Sequence, residues 1–255
     1  MDPNTRQDLA VLADYFLHAQ APAGTPMADV SYTEAVAHYH AGVPLAYLLG
    51  DAAFFDRLVW VSPGVLIPRP ETEGLVQAAC AYIADASIDQ IVGYGTGCIA
   101  LEMARRYPNA HIWGWDINPI AQTIAQRNQD RFGASHITWY CQDVFEAIAA
   151  GDMIQSGLII SNPPYVNMAD PALATQVLAH EPQTALDGGR AGLAWIHQFL
   201  QAMATFQHQG LWFALEIGYD QGPRVRDIMV HYGYEHVCIE SDVSGHDRYA
   251  LGQLR

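Results

Sequence analysis

Residues 88–116 read IDQIVGYGTGCIALEMARRYPNAHIWGWD, and this stretch decides the fold. Residues 88–92 are an apolar strand, Gly93-Tyr94-Gly95-Thr96-Gly97 is a glycine turn, residues 98–106 carry helical periodicity, and residues 111–115 form a second strand. That succession is a βαβ unit, which makes its two strands parallel. Glycines let the backbone crowd a ligand, and the amino terminus of the following helix favours electron-rich groups. Asp116 closes the second strand about twenty residues past the turn, where a carboxylate grips the ribose hydroxyls of a bound nucleoside. The same glycines also serve tight packing of helix on strand, so both readings stand at this point.

Towards the carboxyl terminus the alternation continues. The pattern predicts a helix over 120–131 and a strand over 136–141, with Asp143 just past it. The apolar run Gly157-Leu158-Ile159-Ile160 stops abruptly at Ser161-Asn162-Pro163-Pro164-Tyr165. Proline cannot donate to a sheet ladder and restricts the residue before it, so Asn162 falls at the carboxyl end of a buried strand. In an open α/β sheet that edge binds ligands, which makes this stiff turn a candidate reaction site. A long loop over 166–189 follows, of a length usually reserved for function. A helix over 193–206, a strand over 211–217, a helix over 219–231 and strands over 235–240 and 248–254 complete a doubly wound α/β sheet with an antiparallel edge.

Towards the amino terminus, Leu9, Leu12, Ala13, Phe16 and Leu17 have helical spacing and predict a helix ending near Gln20. Ser31 and Glu34 form a capping box for a second helix, closed by Gly42 and Pro44. Residues 1–50 thus read as a small helical domain, 51–70 as a linker containing a β-hairpin around Asp56-Arg57, and 71–255 as the main domain. In Ile67-Pro68-Arg69-Pro70-Glu71-Thr72-Glu73 the prolines fix a loop entering a helix that runs to about Ala84. Acidic residues at a helix amino terminus need no function to explain them.

The formal charge is −15, and all 12 basic residues are arginine. No Lys/Arg cluster of the kind that neutralises phosphates is present, so neither direct nucleic-acid binding nor a membrane partner is expected. Four cysteines scattered among apolar residues without a C-x-x-C pair fit buried, reduced thiols in a cytoplasmic protein, and the histidines lack metal-ligand spacing. Trp113 and Trp115 lie on a strand and read as core.

Six blocks together carry a resemblance: Leu66-Ile67-Pro68-Arg69-Pro70-Glu71-Thr72-Glu73, Asn162-Pro163-Pro164-Tyr165, Glu181-Pro182, Ala185-Leu186, Glu216-Ile217-Gly218 and Gly245-His246-Asp247-Arg248. In order and spacing they resemble the peptide chain release factor N5-glutamine methyltransferases, from about Gly42 onward. The resemblance implies a seven-stranded Rossmann-like methyltransferase sheet and transfer of a methyl group from S-adenosylmethionine to the glutamine amide of a Gly-Gly-Gln loop in release factors. It implies that Asn162 and Pro163 accept the two amide N–H bonds and that Tyr165 packs on the amide. Pro164 and Arg69 complete the substrate side. Gly93, Tyr94, Gly95, Thr96 and Gly97 would cradle the methionine portion of the cofactor, with Asn162 beside it; Asp116 would hold its ribose; Asp143 and Val144 would flank its adenine.

The chain departs from the family pattern at two places. An aspartate usually stands two residues before the first glycine of the turn, near the cofactor's ammonium, and here that position is Ile91; Asp89 is two strand rises away, about 6–7 Å. The amino-terminal helical unit is also short. Two other readings therefore stand beside the first: a nucleic-acid base amino-methyltransferase using the same turn, and a non-catalytic methyltransferase-fold protein whose cofactor site has decayed at Ile91.

Overall fold

The structure, a computed structural model, describes residues 3–18, 30–84, 86–94, 97–170, 179–208 and 210–255. Helix α1 (Pro3–His18) packs with α2 (Tyr32–His40) and the short α3 (Leu45–Leu49) around Leu12, Ala35 and Leu48. The capping box is formed as expected: the Ser31 hydroxyl accepts from the Glu34 amide, and Glu34 accepts from the Ser31 amide at 2.9 Å. The predicted end of α1 at Gln20 lies outside the described residues.

Strands β1 (Asp51–Phe54) and β2 (Arg57–Trp60) form the hairpin, in the register Phe54 to Arg57. The two-residue turn is therefore Phe55-Asp56, one residue earlier than the sequence suggests. Phe55 takes positive φ (53°), and its amide is held by Glu73 Oε1 at 2.8 Å, a long-range bond that local turn preferences do not contain. Ala52, Phe54 and Val59 pack into the main core.

Helix α4 (Pro70–Tyr82) leads to β3 (Gln90–Tyr94), α5 (Cys98–Arg106), β4 (His111–Asp116), α6 (Pro119–Phe132) and β5 (Ile137–Cys141). Next come α7 (Val144–Ala150), β6 (Gly157–Ser161), α8 (Gln183–Leu186), α9 (Ala194–Thr205), β7 (Leu211–Glu216), α10 (Gly222–His231), β8 (Glu235–Ser241) and β9 (Asp247–Leu254). The seven-stranded sheet has the order β5-β4-β3-β6-β7-β9-β8, with the first five strands parallel and β9 antiparallel to both β7 and β8. Strand order reverses between β3 and β6, which places the crevice of the sheet at their carboxyl ends.

Alternation along β6 divides the core between the two faces. Leu158 and Ile160 join α4 and α5 on one side; Ile159 joins α9 and α10 on the other. Every residue of β6 is buried, as a central parallel strand requires.

Four sequence expectations are corrected. β3 starts later than residue 88 and continues through Gly93 and Tyr94, because both take their place in the ladders to β4 and β6. The helix α7 carries no periodic signal in the sequence: at seven residues it is too short to display a period, although Asp143 caps its start and Gly151 its end. The segment 166–189 is not all loop, since α8 lies within it and Val166 bridges to Asp187; residues 171–178 lie outside the described residues. Of the cysteines, Cys98 is buried, Cys80 and Cys238 are half-buried and Cys141 is exposed, because β5 is an edge strand and Cys141 is its last residue. No helix among the described residues is long and apolar enough to cross a membrane, and none of their His, Cys, Asp and Glu side chains group in threes as a metal would need.

Candidate active site

The carboxyl ends of β4, β5 and β6 open into a cavity of about 150 Å³. Asp116, the last residue of β4, lines it, as do Asp143 and Val144 after β5 and Ser161, Asn162, Pro163 and Pro164 at the end of β6. Val65 and Leu66 close one side from the proline-rich loop; Phe145 and Trp195 close another from α7 and α9. Trp115 is in the core, stacked on Tyr140 with centroids 4.4 Å apart, and also reaches the cavity wall.

Of the remaining residues singled out in the sequence, those whose side chains are described do not line the cavity. Gly93 and Gly97 do not line the cavity. A Cβ on Gly97, whose φ is +87°, would stand 2.6 Å from Ala125 Cβ, and one on Gly93 would meet the Ala100 backbone at 3.1 Å, so both glycines serve the packing of α5 and α6 on the sheet. Gly95 and Thr96 lie outside the described residues, and for Tyr94 only the backbone is described, paired with Ser161. Arg69 faces away, ion-paired with Glu181 along a separate groove beneath α2 and α3. Ile91 is fully buried between Ile112 and Leu158. Asp89 is exposed and precedes β3, at the end of the strand opposite the cavity, so it does not substitute for an acid at position 91.

Two carboxylates of the cavity have distinct surroundings. Burial pushes Asp116 up to about 6, against the opposing effect of the Asn118 amide, which it accepts at 2.8 Å. Asn118 in turn caps α6 through the Ile120 amide and donates to Gly64 O at 2.7 Å, tying the β4 end to the proline-rich loop. Asp143 accepts from the Phe145 amide at 2.7 Å and so holds the start of α7 against the cavity. The Ser161 hydroxyl is fully buried and finds no hydrogen-bond partner among the described residues.

Beside the cavity runs a chain of side-chain hydrogen bonds. Asn162 Nδ2 donates to Thr72 Oγ1 at 3.0 Å, Thr72 Oγ1 donates to Glu216 Oε2 at 2.7 Å, and the Tyr165 hydroxyl donates to Glu216 Oε1 at 2.8 Å. Glu216 is completely buried; desolvation raises its pKa, opposed by Thr72, Tyr165 and Arg248. Tyr165 is half-buried outside the cavity wall, and desolvation together with the Glu216 charge raises its phenol. Sequence reasoning assigned no role to Thr72, Glu216, Ser161 or Trp195. The first two stand inside the quoted blocks, which is the only local signal they offer; the bond from Asn162 to Thr72 spans 90 residues of chain and that from Thr72 to Glu216 spans 144, and both are created by folding.

Residues 75–206 match the methyltransferase small domain family. A methyltransferase from Pyrococcus furiosus superposes with a TM-score of 0.52 and 15% identity, over 87% of this chain and 96% of that one, which shows the fold. The release factor glutamine methyltransferase of Vibrio cholerae is 38% identical over 86% of this chain and 77% of its own. That of Escherichia coli is 35% identical over 83% and 76%. Identity at that level over most of both chains, on a matching fold, establishes that the protein belongs to the release factor glutamine methyltransferase family.

Proposed function

We propose that the protein transfers a methyl group from S-adenosylmethionine to the side-chain amide nitrogen of the glutamine in the Gly-Gly-Gln motif of peptide chain release factors. The observation that carries this is Asn162, a cavity-lining residue: one N–H of its Nδ2 is bonded to Thr72, which fixes the orientation of the carboxamide and turns its other end, the acceptor oxygen, to a substrate. An acceptor there suits a primary amide, which brings two N–H donors.

The residues present fit the cofactor. A buried acid at the β4 end suits paired ribose hydroxyls, apolar Val144, Phe145 and Trp195 suit a purine, and the Ser161 hydroxyl supplies a polar contact that none of the described residues uses. When bound, S-adenosylmethionine supplies an electrophilic methyl carbon on a sulfonium.

An amide nitrogen is a poor nucleophile because its lone pair is delocalised into the carbonyl. Asn162 Oδ1 and the Pro163 carbonyl accept its two N–H bonds and aim the lone pair at the methyl carbon. Tyr165 is pinned through its hydroxyl to Glu216, and in this reading its ring packs on the amide. The amide nitrogen held by Asn162 and Pro163 would take the methyl, with the cofactor's sulfur as the leaving group, and give up its surplus proton to solvent. Alignment and fixed acceptors supply most of the rate, as in other positioned displacements. Residues 1–50 serve as the docking unit for the release factor.

The test is transfer of labelled methyl from the cofactor to a release factor, with RNA and DNA offered in parallel. Transfer to the release factor, lost when its acceptor glutamine is changed and lost with Asn162→Ala, is the expected result. Transfer that survives both changes, or that goes to nucleic acid instead, overturns the reading.

A further inference from the structure

We propose that Thr72 and Glu216 are positioning residues that decide which end of the Asn162 carboxamide faces the acceptor glutamine. The inference rests on the function proposed above and names residues outside the Asn-Pro-Pro-Tyr turn. The two ends of a carboxamide are nearly the same shape, and a half-turn about the terminal bond exchanges an acceptor for a donor pair. Only one orientation accepts an N–H from a substrate amide, so something must select it.

The selection is made by counting protons along the chain of hydrogen bonds. An ionised carboxylate only accepts. Glu216, wholly buried, accepts from the Thr72 hydroxyl at 2.7 Å and the Tyr165 hydroxyl at 2.8 Å. Thr72 has one hydroxyl proton, and it is used on Glu216. What Thr72 turns towards Asn162 is therefore a lone pair, which Nδ2 satisfies at 3.0 Å and Oδ1 does not. The opposite rotamer would set two acceptors against each other in a buried site, which is costly.

The three residues sit on separate elements: Thr72 in the first turn of α4, Glu216 at the end of β7, and Asn162 directly after β6. The carboxylate also holds the Tyr165 hydroxyl, so one buried group ties down both Asn162, through Thr72, and Tyr165 after β6. The arrangement differs from ordinary buried polar packing in one respect: it specifies direction. Replacing the carboxylate with a carboxamide keeps the shape and the capacity for hydrogen bonding but removes the obligation on Thr72 to donate.

The test compares wild type, Thr72→Val, Thr72→Ser and Glu216→Gln. Each is assayed for kcat and KM with a release factor, for cofactor affinity by calorimetry, and for hydrogen-exchange protection of the Asn162 side-chain amide by NMR. Expected are a roughly hundredfold fall in kcat for Thr72→Val and Glu216→Gln, with cofactor affinity within about twofold of wild type. Thr72→Ser, which keeps the hydroxyl, stays within about threefold. The side-chain amide of Asn162 is protected in wild type and Thr72→Ser and unprotected in Thr72→Val.

A Thr72→Val protein that keeps wild-type kcat, or a Thr72→Ser protein as impaired as Thr72→Val, overturns the proposal while leaving the methyltransferase reading intact. Absence of protection in the wild type overturns it whether or not the release factor is the acceptor. A wild type that methylates no release factor defeats the functional reading, and the exchange data then judge the hydrogen-bond chain by itself.

Discussion

Arg69 is ion-paired with Glu181 across 112 residues of sequence, and the Glu181 side chain is only 2% exposed whereas that of Arg69 is 32% exposed. Glu181 also accepts from the Ile67 amide at 3.2 Å. The pair therefore fixes the proline-rich loop whose neighbouring residues, Val65 and Leu66, wall the cavity. A role for Arg69 in anchoring this loop is what the contact supports directly.

The unequal exposure predicts unequal mutants. Arg69→Ala strands a buried carboxylate and should cost about 3 kcal/mol, the lower end of the range for a broken buried pair because water reaches the arginine side. Glu181→Ala leaves a guanidinium that solvent can hydrate, and should cost about 1–2 kcal/mol, chiefly from the orphaned Ile67 amide. Urea denaturation measures both; equal losses, or a larger loss for Glu181→Ala, would contradict the pairing argument.

Asp116 sets stability against binding. Its carboxyl, at 3.8 in the unfolded chain and about 6 when folded, binds protons more tightly in the folded state, so the ionised form is disfavoured there. Cofactor-free protein should gain about 2–3 kcal/mol as pH falls from above 6 towards 4 on account of this group. Cofactor affinity should move the other way, weakening as the carboxylate is protonated. Asp116→Asn should remove both dependences, stabilise the free protein at pH 8, and weaken cofactor binding by about 10–100-fold. Calorimetric titration at several pH values checks the sign; affinity that is flat across pH 6 in the wild type would refute it.

Gly97 separates packing from ligand contact. With φ at +87° and Ala125 Cβ 2.6 Å from where a Cβ would stand, Gly97→Ala should destabilise the cofactor-free protein by about 2–3 kcal/mol. A contact role alone would leave that stability unchanged, so a thermal melt without cofactor decides between them.

Ile91 bears on whether the cofactor site has decayed. Calorimetry of the wild type is expected to show cofactor binding in the micromolar range, about −8 kcal/mol, because Asp116, Asp143 and Ser161 remain at the cavity. Failure to bind at millimolar cofactor would revive the non-catalytic reading. Ile91→Asp, placing a carboxyl between Ile112 and Leu158, is expected to destabilise by more than about 3 kcal/mol.

Much of this was legible in the sequence because it is local. The βαβ alternation, the strand stopped by Pro163 and Pro164, and the capping box at Ser31 and Glu34 each rest on rules that act over a few residues. Asp116 and Asn162 could be placed at the carboxyl edge because strand ends are themselves marked locally. The glycine turn was ambiguous for the same reason: φ and packing distance distinguish a cradle from a close contact, and neither is written in a Gly-x-Gly pattern.

Tertiary structure decided whatever depends on a partner distant in the chain. The hairpin turn shifted by one residue because Glu73 holds the Phe55 amide. Asp89 was excluded as a substitute acid because strand direction carries it to the wrong end of β3. Above all, the orientation of the Asn162 carboxamide is absent from its own turn. It is set by Thr72 and Glu216, brought together from α4 and β7, since a hydrogen bond is specified by atoms about 3 Å apart in space, whatever their separation in sequence.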